Sequence, residues 1–164
     1  GTLRLFVDHT LLPGTAVTVA SNAVLDVNGR VQALSALGGG GLVTNNALLS
    51  VTGELTPGDA GAYGTLTLAS PCALSGVLKV ALASDGSCDR LHVQGDLDLS
   101  GLALEVADPA ALNKDLRYTL ATCSGTLSGS FSGHNLPLRW NIRTDAAGRR
   151  AYLVYNAGTA LSIL

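Results

Sequence analysis

The stretch VTGELTPGDAGAYGTLTLAS, residues 51–70, decides the fold class of this chain. Apolar and polar side chains alternate on both sides of a turn, PGDAG, at residues 57–61. Alternation with a period of two is typical of β-strands that bury one face, and Pro followed by Gly favours a tight turn. The stretch has almost no side chains that carry out chemistry, so it predicts a segment that builds structure.

The same alternation continues through most of the 164 residues. The runs that predict short strands are 2–6, 16–19, 24–27, 48–52, 65–68, 77–82, 90–93, 96–99, 102–106, 117–122, 138–143 and 150–155. The best helical candidate is DPAALNKDL at 108–116, where an Asp cap and an early Pro predict one or two turns at most. We therefore expect a nearly all-β fold.

The composition favours thin, repetitive packing. Hydrophobic residues make up 47% of the chain, yet aromatic residues are 4% and charged residues 13%, about half the usual charged fraction. The core must therefore consist of small aliphatic side chains. The net charge is −2 without a basic or acidic run, so nothing indicates nucleic acid or an anionic membrane surface as a partner.

Short motifs recur along the chain. Gly-x-Leu begins GTLRL (1–5), GELTP (53–57), GTLTL (64–68), GVLKV (76–80), GDLDL (95–99) and GTLSG (125–129), and GLALEV (101–106) is a related run that begins with Gly-Leu. SNAVLDVNG (21–29) is similar to NNALLSVTG (45–53). Repeats of this length indicate a β-solenoid, in which layers about 4.8 Å apart bury a shared ladder of Leu and Val. Asn and Gly tolerate the left-handed corners, Pro13-Gly14 and Pro57-Gly58 start outward turns, and the GGGG at 38–41 is predicted to be a flexible corner.

Four longer segments carry a family resemblance: GTLRL with LPGTAVTVASNAVLDVNG, GGGGLVTNNALLSVTGELTPGDAGAYGTLTL, CDRLHVQGDLDLSG and RYTLATCSGTLSGSFSG. Together they resemble the autotransporter-associated β-strand repeats of Gram-negative autotransporter passenger domains. That family has an LTPG turn before GTLTL and a Ser-Asp-x-Leu step, into which this chain inserts Cys88 between Ser87 and Asp89. The resemblance implies a right-handed parallel β-helix that is exported and displayed on the cell surface or outer membrane, or secreted.

The resemblance also implies partners within the same protein. We expect the chain to be an excised piece of a longer protein, with more passenger before it and a translocating barrel or anchor after it. C-terminal coils in the resembled family nucleate folding after export, so an autochaperone role is expected as well.

The C-terminal region differs from the rest. PLRWNIRTDAAGRRAYLVYN, 137–156, predicts a hairpin with a turn of about four residues and holds the only Trp of the chain. An open solenoid end invites end-to-end association, so we expect Phe131 and residues 136–164 to cover it. The predicted organisation is one domain, with β-helix coils in 1–136 and the cap in 137–164, and the isolated chain is expected to be a monomer.

Basic residues of the predicted cap form the one candidate ligand patch. It consists of Arg139, Trp140, Arg143, Arg149 and Arg150. The Arg residues could hold an acidic ligand or could protect an edge strand from further pairing, which we favour. Trp140 could stack on a sugar, although a single Trp in a cap is more often part of the core.

Enzymatic and metal-binding motifs are weak. Many β-helices cleave polysaccharides with clustered acids, and the candidates here are Asp85, Asp89, Asp96, Asp98 and Glu105, with Arg90 nearby. Asp96 and Asp98 share a strand face, but a solvated polar face explains them more simply. His9, His92 and His134 have no second ligand at a short spacing, so neither a metal nor another cofactor is expected.

The three cysteines, Cys72, Cys88 and Cys123, leave two alternatives open. A Cys72–Cys88 disulfide would join the nearest pair, and buried thiols that behave as small hydrophobes fit equally well.

Three functions remain as hypotheses. The first is a non-enzymatic structural passenger segment, a stalk with a C-terminal cap. The second is an adhesin module that binds a host glycan or matrix protein, and the third is a polysaccharide-degrading β-helix enzyme. Sparse aromatic residues count against the second, and scarce clustered acids count against the third.

Overall fold

The computed structural model describes residues 1–158, which form an all-β fold with one short 3-10 turn. In chain order the strands are β1 (Thr2–Arg4), β2 (Thr15–Thr18), β3 (Val24–Asp26), β4 (Gln32–Gly39), β5 (Leu42–Thr44), β6 (Leu49–Pro57), β7 (Thr65–Leu68), β8 (Ala73–Leu74), β9 (Gly76–Val80), β10 (Arg90–Val93), β11 (Leu97–Asp98), β12 (Leu102–Val106), β13 (Tyr118–Cys123), β14 (Leu127–Ser128), β15 (Trp140–Asp145) and β16 (Arg150–Tyr155). Each predicted run contains a strand, whereas β4, β5, β8 and β14 were not predicted.

The strands form three sheets that are mostly parallel. Sheet A has the order β1-β3-β5-β7-β10-β13-β16-β15, sheet B the order β12-β9-β6-β4-β2 with β8 also paired to β6, and sheet C joins β11 to β14. Among these strands only β16 pairs antiparallel, with β13 on one side and β15 on the other. We call one strand of sheet A, together with the strands that follow it before the chain returns to sheet A, a layer; β1 and β2 form the first layer, and β13 and β14 the sixth.

The core is a pair of aliphatic ladders that run through the layers. Parallel pairing places Val17, Leu37, Leu55, Leu78 and Leu104 in one line across sheet B. The last four of these side chains are at most 2% exposed. Burial of each such side chain contributes roughly 1.5–3 kcal/mol, so a chain poor in aromatic residues still obtains a continuous core.

The corners between strands use left-handed backbone, as the sequence predicts. Asn22, Asn28 and Asn45 have φ values of 65°, 55° and 52°. Asn adopts this region more readily than most residues because its side chain bonds locally. The turn at Pro13-Gly14 also forms, with Gly14 at φ 88° and the Thr15 N–H donating to the Leu12 carbonyl over 3.0 Å.

The four glycines at 38–41 form a corner between β4 and β5, as predicted, but this corner is tightly packed. Gly38, Gly39 and Gly41 are buried, and the segment ends β4 and leads into β5. A Cβ on Gly39 would collide with the Val19 carbonyl oxygen of the preceding layer. The glycines are therefore needed for the close approach of two layers.

The two similar segments at 21–29 and 45–53 do not stack on each other. The first contains β3 in sheet A, whereas the second begins β6 in sheet B. Partner residues in the parallel pairs lie between 17 and 30 positions apart, as in Gln32 with Leu49 and Leu97 with Leu127. The similarity therefore comes from shared corner and strand chemistry, and the layers themselves vary in length.

The predicted helical segment at 108–116 forms only one 3-10 turn, Pro109–Ala111. The Asp108 carboxylate accepts a hydrogen bond from the Ala110 N–H at 3.0 Å, so the predicted cap is confirmed. Within residues 1–158 no helix is long and apolar enough to cross a membrane.

The N-terminal end of the layers is open. β1 and β2 are the edge strands of sheets A and B, so both sheets present unpaired backbone at this end. Leu3 lies in line with Leu25, yet Leu3 is 59% exposed and Leu25 only 2%. Leu3, Val17 and Leu25 also line a largely apolar cavity of about 390 Å³ between the first strands of the two sheets.

The C-terminal end is covered by the hairpin that β15 and β16 form. β16 pairs with β13, where Tyr118 lies opposite Leu153, and both side chains are fully buried. In sheet B, the edge of β12 is covered by residues 132–135, since the Asn135 side chain both accepts from the Val106 N–H and donates to its carbonyl at 2.8 Å. The predicted cap over 137–164 thus contains a hairpin, while residues 159–164 lie outside the described part of the chain.

Candidate functional site

Trp140, the aromatic member of the predicted patch, is part of the core. Its side chain is 8% exposed and packs between Tyr118 and Tyr155, with ring centroids 6.2 Å and 5.6 Å away. Such tilted and edge-on arrangements stabilise aromatic pairs. Trp140 therefore anchors the hairpin and does not offer a stacking face to a ligand.

Arg139 and Arg149 contribute to the hairpin through their backbone. Both adopt left-handed conformations, with φ values of 72° and 51°. The Arg139 carbonyl accepts from the Asn156 N–H at 2.8 Å, and the Arg149 carbonyl accepts from the Cys123 N–H at 3.0 Å. Their side chains are exposed and lie at the two ends of the hairpin.

Arg143 and Arg150 lie on the outward face of sheet A beside Tyr152. Arg143 is directly opposite Tyr152 in the β15–β16 pair. The guanidinium carbon of Arg150 lies 5.5 Å from the centre of the Tyr152 ring, and that of Arg117 lies 5.7 Å from the same centre. We call Arg117, Arg143, Arg150 and Tyr152 the Tyr152 face.

Asp145 is the carboxylate that balances part of this charge. Its Oδ2 lies 3.2 Å from the Nη2 of Arg150, and its Oδ1 accepts the Gly148 N–H at 2.8 Å. These hydrogen bonds, together with the charge of Arg150, hold the pKa of Asp145 below its ordinary value, the Gly148 bond being the largest cause. Within residues 1–158, Arg117 and Arg143 form no ion pair.

Edge protection accounts for only part of the patch. β15 is the edge strand of sheet A, so exposed Arg143 can discourage further strand pairing there. Arg150 lies on β16, which has a partner on each side, and Arg117 directly precedes β13, which also has two partners. Neither of these two Arg residues therefore protects an edge.

Sequence reasoning missed Arg117, although a signal for it exists in the charges. Residues 117–164 contain five Arg and one Asp, so their net charge is +4. Residues 1–116 contain five basic and eleven acidic residues, so their net charge is −6. The overall net charge of −2 hides this separation of charge. Arg117 comes to lie near Arg150 only because the hairpin folds back and β16 pairs with β13.

Asp89, one of the candidate acids, has a structural role. It is 6% exposed, and its two carboxylate oxygens accept hydrogen bonds from the Gly64 N–H at 3.0 Å and the Ala81 N–H at 2.9 Å. Burial raises the pKa of Asp89, and the two hydrogen bonds oppose that shift. The inserted Cys88 therefore does not prevent the neighbouring Asp from joining layers at this corner.

The other candidate acids are also engaged locally. The pKa values of Asp85 and Asp98 are lowered, above all because each accepts a hydrogen bond from a backbone N–H two residues on, at Ser87 and Ser100. Asp96 accepts from the Thr126 N–H of the next layer at 2.6 Å. Glu105 pairs with Lys79 at 3.1 Å across β12 and β9.

Asp96 and Asp98 are both exposed, as their shared face predicts, and they line a groove of about 320 Å³. The Oδ1 atom of each accepts a backbone hydrogen bond, from Thr126 of the next layer or from Ser100 in the turn, which gives both carboxylates a structural role. Arg90, predicted to lie near these acids, instead donates from Nε to the Thr119 carbonyl at 3.4 Å.

The histidines lie apart. His92 Nδ1 lies 2.8 Å from the Thr122 hydroxyl on the outer face, whereas His9 and His134 are exposed. Among residues 1–158, no three His, Cys, Asp or Glu side chains are arranged to hold a metal ion.

The Cys72–Cys88 disulfide is not formed, since all three cysteines are free thiols. Cys88 precedes β10 and Cys72 follows β7, and these paired strands run parallel in register from Thr65 with Arg90 to Leu68 with Val93. The two cysteines are thus beyond opposite ends of the strands, roughly 10 Å apart or more, which a disulfide cannot span. Burial raises the pKa of the Cys72 thiol to about 11. Cys123 is buried, whereas Cys72 and Cys88 are half-buried, so the alternative of buried thiols is fully met only at Cys123.

Comparison with known proteins adds no assignment. No protein-family model matches the sequence, and no curated protein matches it. The resemblance to passenger repeats therefore rests on the motifs in the sequence alone.

Proposed function

We propose that the chain is a right-handed parallel β-helix that serves as a non-enzymatic scaffold. In this proposal it is a passenger segment of an autotransporter-like protein, exported and either held at the cell surface or outer membrane or released. Further layers extend it at the N-terminal end, and the hairpin closes it at the C-terminal end.

The parallel register of sheets A and B supports the β-helix. After β1 the chain returns to sheet A five times in parallel, and each return adds one strand beside the previous one. Crossover connections between parallel strands of one sheet are almost always right-handed, so we assign that hand. A single layer cannot bury its own inward face, which is why layered repeats of this kind need neighbours.

The unequal ends are the observation that carries the scaffold proposal. At the N-terminal end, Leu3 continues the ladder of Leu25 and Val43 but is left exposed beside an apolar cavity. At the C-terminal end, the equivalent surface is covered by Leu153 and Trp140. An apolar surface with two unpaired strand edges is suited to a further parallel layer, because that layer would satisfy both the backbone and the Leu side chains.

The resemblance to passenger repeats supports the location and the partners that we propose. These partners are the preceding passenger layers and a C-terminal barrel or anchor of the same protein. An autochaperone role fits the hairpin, because it pairs with the last sheet A strand of the parallel layers and would give folding a closed end from which to proceed.

The adhesin alternative has one observation in its favour, which is the Tyr152 face with its unpaired Arg117 and Arg143. The enzyme alternative has less, since the candidate acids are occupied with backbone and interlayer contacts. Turnover of a polysaccharide by the purified chain would contradict the scaffold proposal.

The experiment that tests the scaffold proposal adds one layer to the N-terminal end. A second copy of residues 20–40 is placed before Gly1, which then takes the place that Gly41 holds in the native chain. This brings Leu25 of the added copy into register with Leu3, as Leu25 and Val43 are in the native chain. A control carries the same added residues after Leu164.

We expect the N-terminal addition to raise the free energy of unfolding in a urea titration, because layered proteins gain stability with each docked neighbour. Leu3→Ala should then cost about 2–5 kcal/mol in the extended chain, as at buried positions, and well under about 1 kcal/mol in the native chain. The C-terminal addition should give no gain. Equal stability of the native and N-terminally extended chains would contradict the proposal.

A further inference from the structure

We propose that the Tyr152 face binds an anionic polysaccharide, a linear chain that carries carboxylate or sulfate groups. This inference deepens the adhesin alternative and does not depend on the scaffold proposal, because it concerns the outward face of the hairpin and not the open N-terminal end.

Two guanidinium groups lie against one ring at this face, and a third Arg is on the neighbouring strand. Arg117 and Arg150 lie within 6 Å of the Tyr152 ring centre, and Arg143 is the direct cross-strand neighbour of Tyr152. Cation–π contact holds guanidinium groups in place and leaves their N–H groups free to donate elsewhere. The ring therefore acts as a platform for Arg side chains and not as a free stacking surface for a sugar.

The charge on this face is incompletely balanced. Asp145 pairs with Arg150, whereas Arg117 and Arg143 have no carboxylate partner among residues 1–158. Like charges that are held close together repel each other, and an anion placed between them would relieve the repulsion. Arg also binds carboxylate and sulfate-like oxygens through two parallel N–H donors, which makes these groups well matched ligands.

The stability of the hairpin explains only part of the arrangement, because Arg150 pairs with Asp145 at the turn, whereas Arg117 and Arg143 form no ion pair among residues 1–158. Leu153, Trp140 and Tyr118 face inward and hold the hairpin, whereas Tyr152 and Arg143 face outward. Arg117 directly precedes β13 and Arg150 lies on β16, and each of these strands has a partner on both sides. Edge protection therefore does not require either residue.

The extent of the charged surface favours a polymer over a single small anion. Arg143, Arg150, Arg117 and Arg90 lie on or beside β15, β16, β13 and β10, which are consecutive neighbours in sheet A. Strands about 4.8 Å apart spread these positions over roughly 14 Å. A linear chain that crosses the strands would place its anionic groups over several Arg residues in turn.

The charge distribution favours a polysaccharide over a duplex nucleic acid or a membrane. Residues before 117 carry a net charge of −6, so the cationic face is limited to one end of an acidic molecule. A long duplex or a flat anionic bilayer would also approach that acidic part, whereas a flexible single chain can follow the cationic end alone.

The test measures binding of the intact chain to heparin, which carries sulfates and carboxylates, and to polygalacturonate, which carries carboxylates only. Uncharged dextran, anionic phospholipid vesicles and single-stranded DNA are the comparison ligands. The variant is Arg117→Gln with Arg143→Gln, which removes two exposed charges that form no ion pair. The matched controls are Arg30→Gln and Lys114→Gln, which remove exposed charges that do not belong to the Tyr152 face.

We expect salt-sensitive binding to at least one of the two polymers, about tenfold or more weaker in the double variant. Both controls should bind as the wild type does, and Tyr152→Phe should bind normally because it keeps the ring. If the urea midpoint of the double variant equals that of the wild type, the loss of binding is not caused by a loss of folding. Binding to heparin alone would identify sulfate as the required group, and binding to polygalacturonate would show that carboxylate suffices.

Three results would overturn the proposal. One is that neither polymer binds, a second is that the double variant binds like the wild type, and a third is that the chain prefers vesicles or DNA to both polymers. A failure of this kind leaves the N-terminal layer experiment unaffected, so the two proposals are tested separately.

Discussion

The two ends of the molecule both consist of short β-strands, but they differ in strand direction and in burial. At the N-terminal end, the first layer contributes only Leu5 and Val19 to the buried core, and it leaves Leu3, Phe6 and Leu12 more than half exposed. At the C-terminal end, an antiparallel hairpin covers the last parallel strand and encloses Trp140 in aromatic contacts. The stack of layers is therefore closed at its C-terminal end and open at its N-terminal end.

This difference shows how a repetitive β fold limits its own growth. Parallel layers can always accept another layer, because each new edge resembles the one before it. A strand that reverses direction, as β16 does against β13, interrupts that resemblance. Aromatic side chains and Arg are concentrated where the pattern stops, and small aliphatic side chains where it continues.

The largest expected effect comes from truncating each end in turn. A chain that ends at residue 137 loses the hairpin and exposes Tyr118, Leu120 and Ala121, so we expect aggregation or failure to fold. A chain that begins at residue 20 loses only the first layer and should stay soluble and folded. Size-exclusion chromatography with urea titration makes the comparison, and equal behaviour of the two truncations would show that the ends are equivalent.

The parallel layers could be predicted from the sequence because their information is local. Alternating residues in 65–68, 90–93 and 102–106 match β7, β10 and β12. β4 was missed because QALSALGG consists mainly of small residues, and its burial depends on glycine contacts with the neighbouring layer. The pairing of layers with unequal lengths, from 17 to 30 residues, also cannot be seen in motifs of fixed spacing.

The candidate site was only partly predictable for a similar reason. Arg143 and Arg150 were identified by their position in the hairpin, but Arg117 joins them only because β16 folds back onto β13. For Trp140 the sequence left two alternatives, a sugar-stacking residue and a core residue. Its packing between two Tyr side chains makes it part of the core. The role of Asp89 depends on backbone groups of two distant segments, at Gly64 and Ala81, which no local pattern reveals.

A pair of leucines sharpens the comparison at single-residue scale. Leu153 in the hairpin is fully buried, so Leu153→Ala should cost about 2–5 kcal/mol. Leu3→Ala at the open end, where the side chain is 59% exposed, should cost well under about 1 kcal/mol. Urea titration of both variants measures these values, and a costly Leu3→Ala would mean that the open end is covered in solution.

Asp89 tests the layers that lie between the two ends. Asp89→Ala leaves the half-buried Gly64 and Ala81 N–H groups without this acceptor, at a cost of about 1–3 kcal/mol. Asp89→Asn keeps one acceptor oxygen and should fall between the wild type and Asp89→Ala. The exposed Asp85→Ala, which removes a local turn contact, serves as the control. Equal losses at both positions would contradict the interlayer role of Asp89.

Lowering the pH should change the free energy of unfolding less than any of these substitutions, and it should weaken both ends of the molecule. Asp26 accepts hydrogen bonds from Asn45 and Asn28 near the open end, and Asp145 holds the hairpin turn; the pKa of each lies below the ordinary 3.8. Their contribution to stability is therefore present above pH 3.8 and is lost as the pH falls through their lower folded values. The raised pKa of Asp89 acts in the opposite sense, since its ionisation above the ordinary value costs stability.

Urea midpoints at decreasing pH measure this effect, with Asp26→Asn and Asp145→Asn as the informative variants. Each should flatten the acid limb of the stability curve, because the titrating group has been removed. If both variants follow the wild-type acid limb unchanged, these two carboxylates do not stabilise the ends.

Amide hydrogen exchange along the intact chain tests the central claim most directly. The claim is that the molecule has one open end and one closed end. We expect the β1 and β2 amides to exchange fastest among the strands, protection to increase through β3 and β5, and the β13 and β16 amides to exchange only with global unfolding. Protection of β1 equal to that of β13, or rapid exchange throughout the hairpin, would contradict this account.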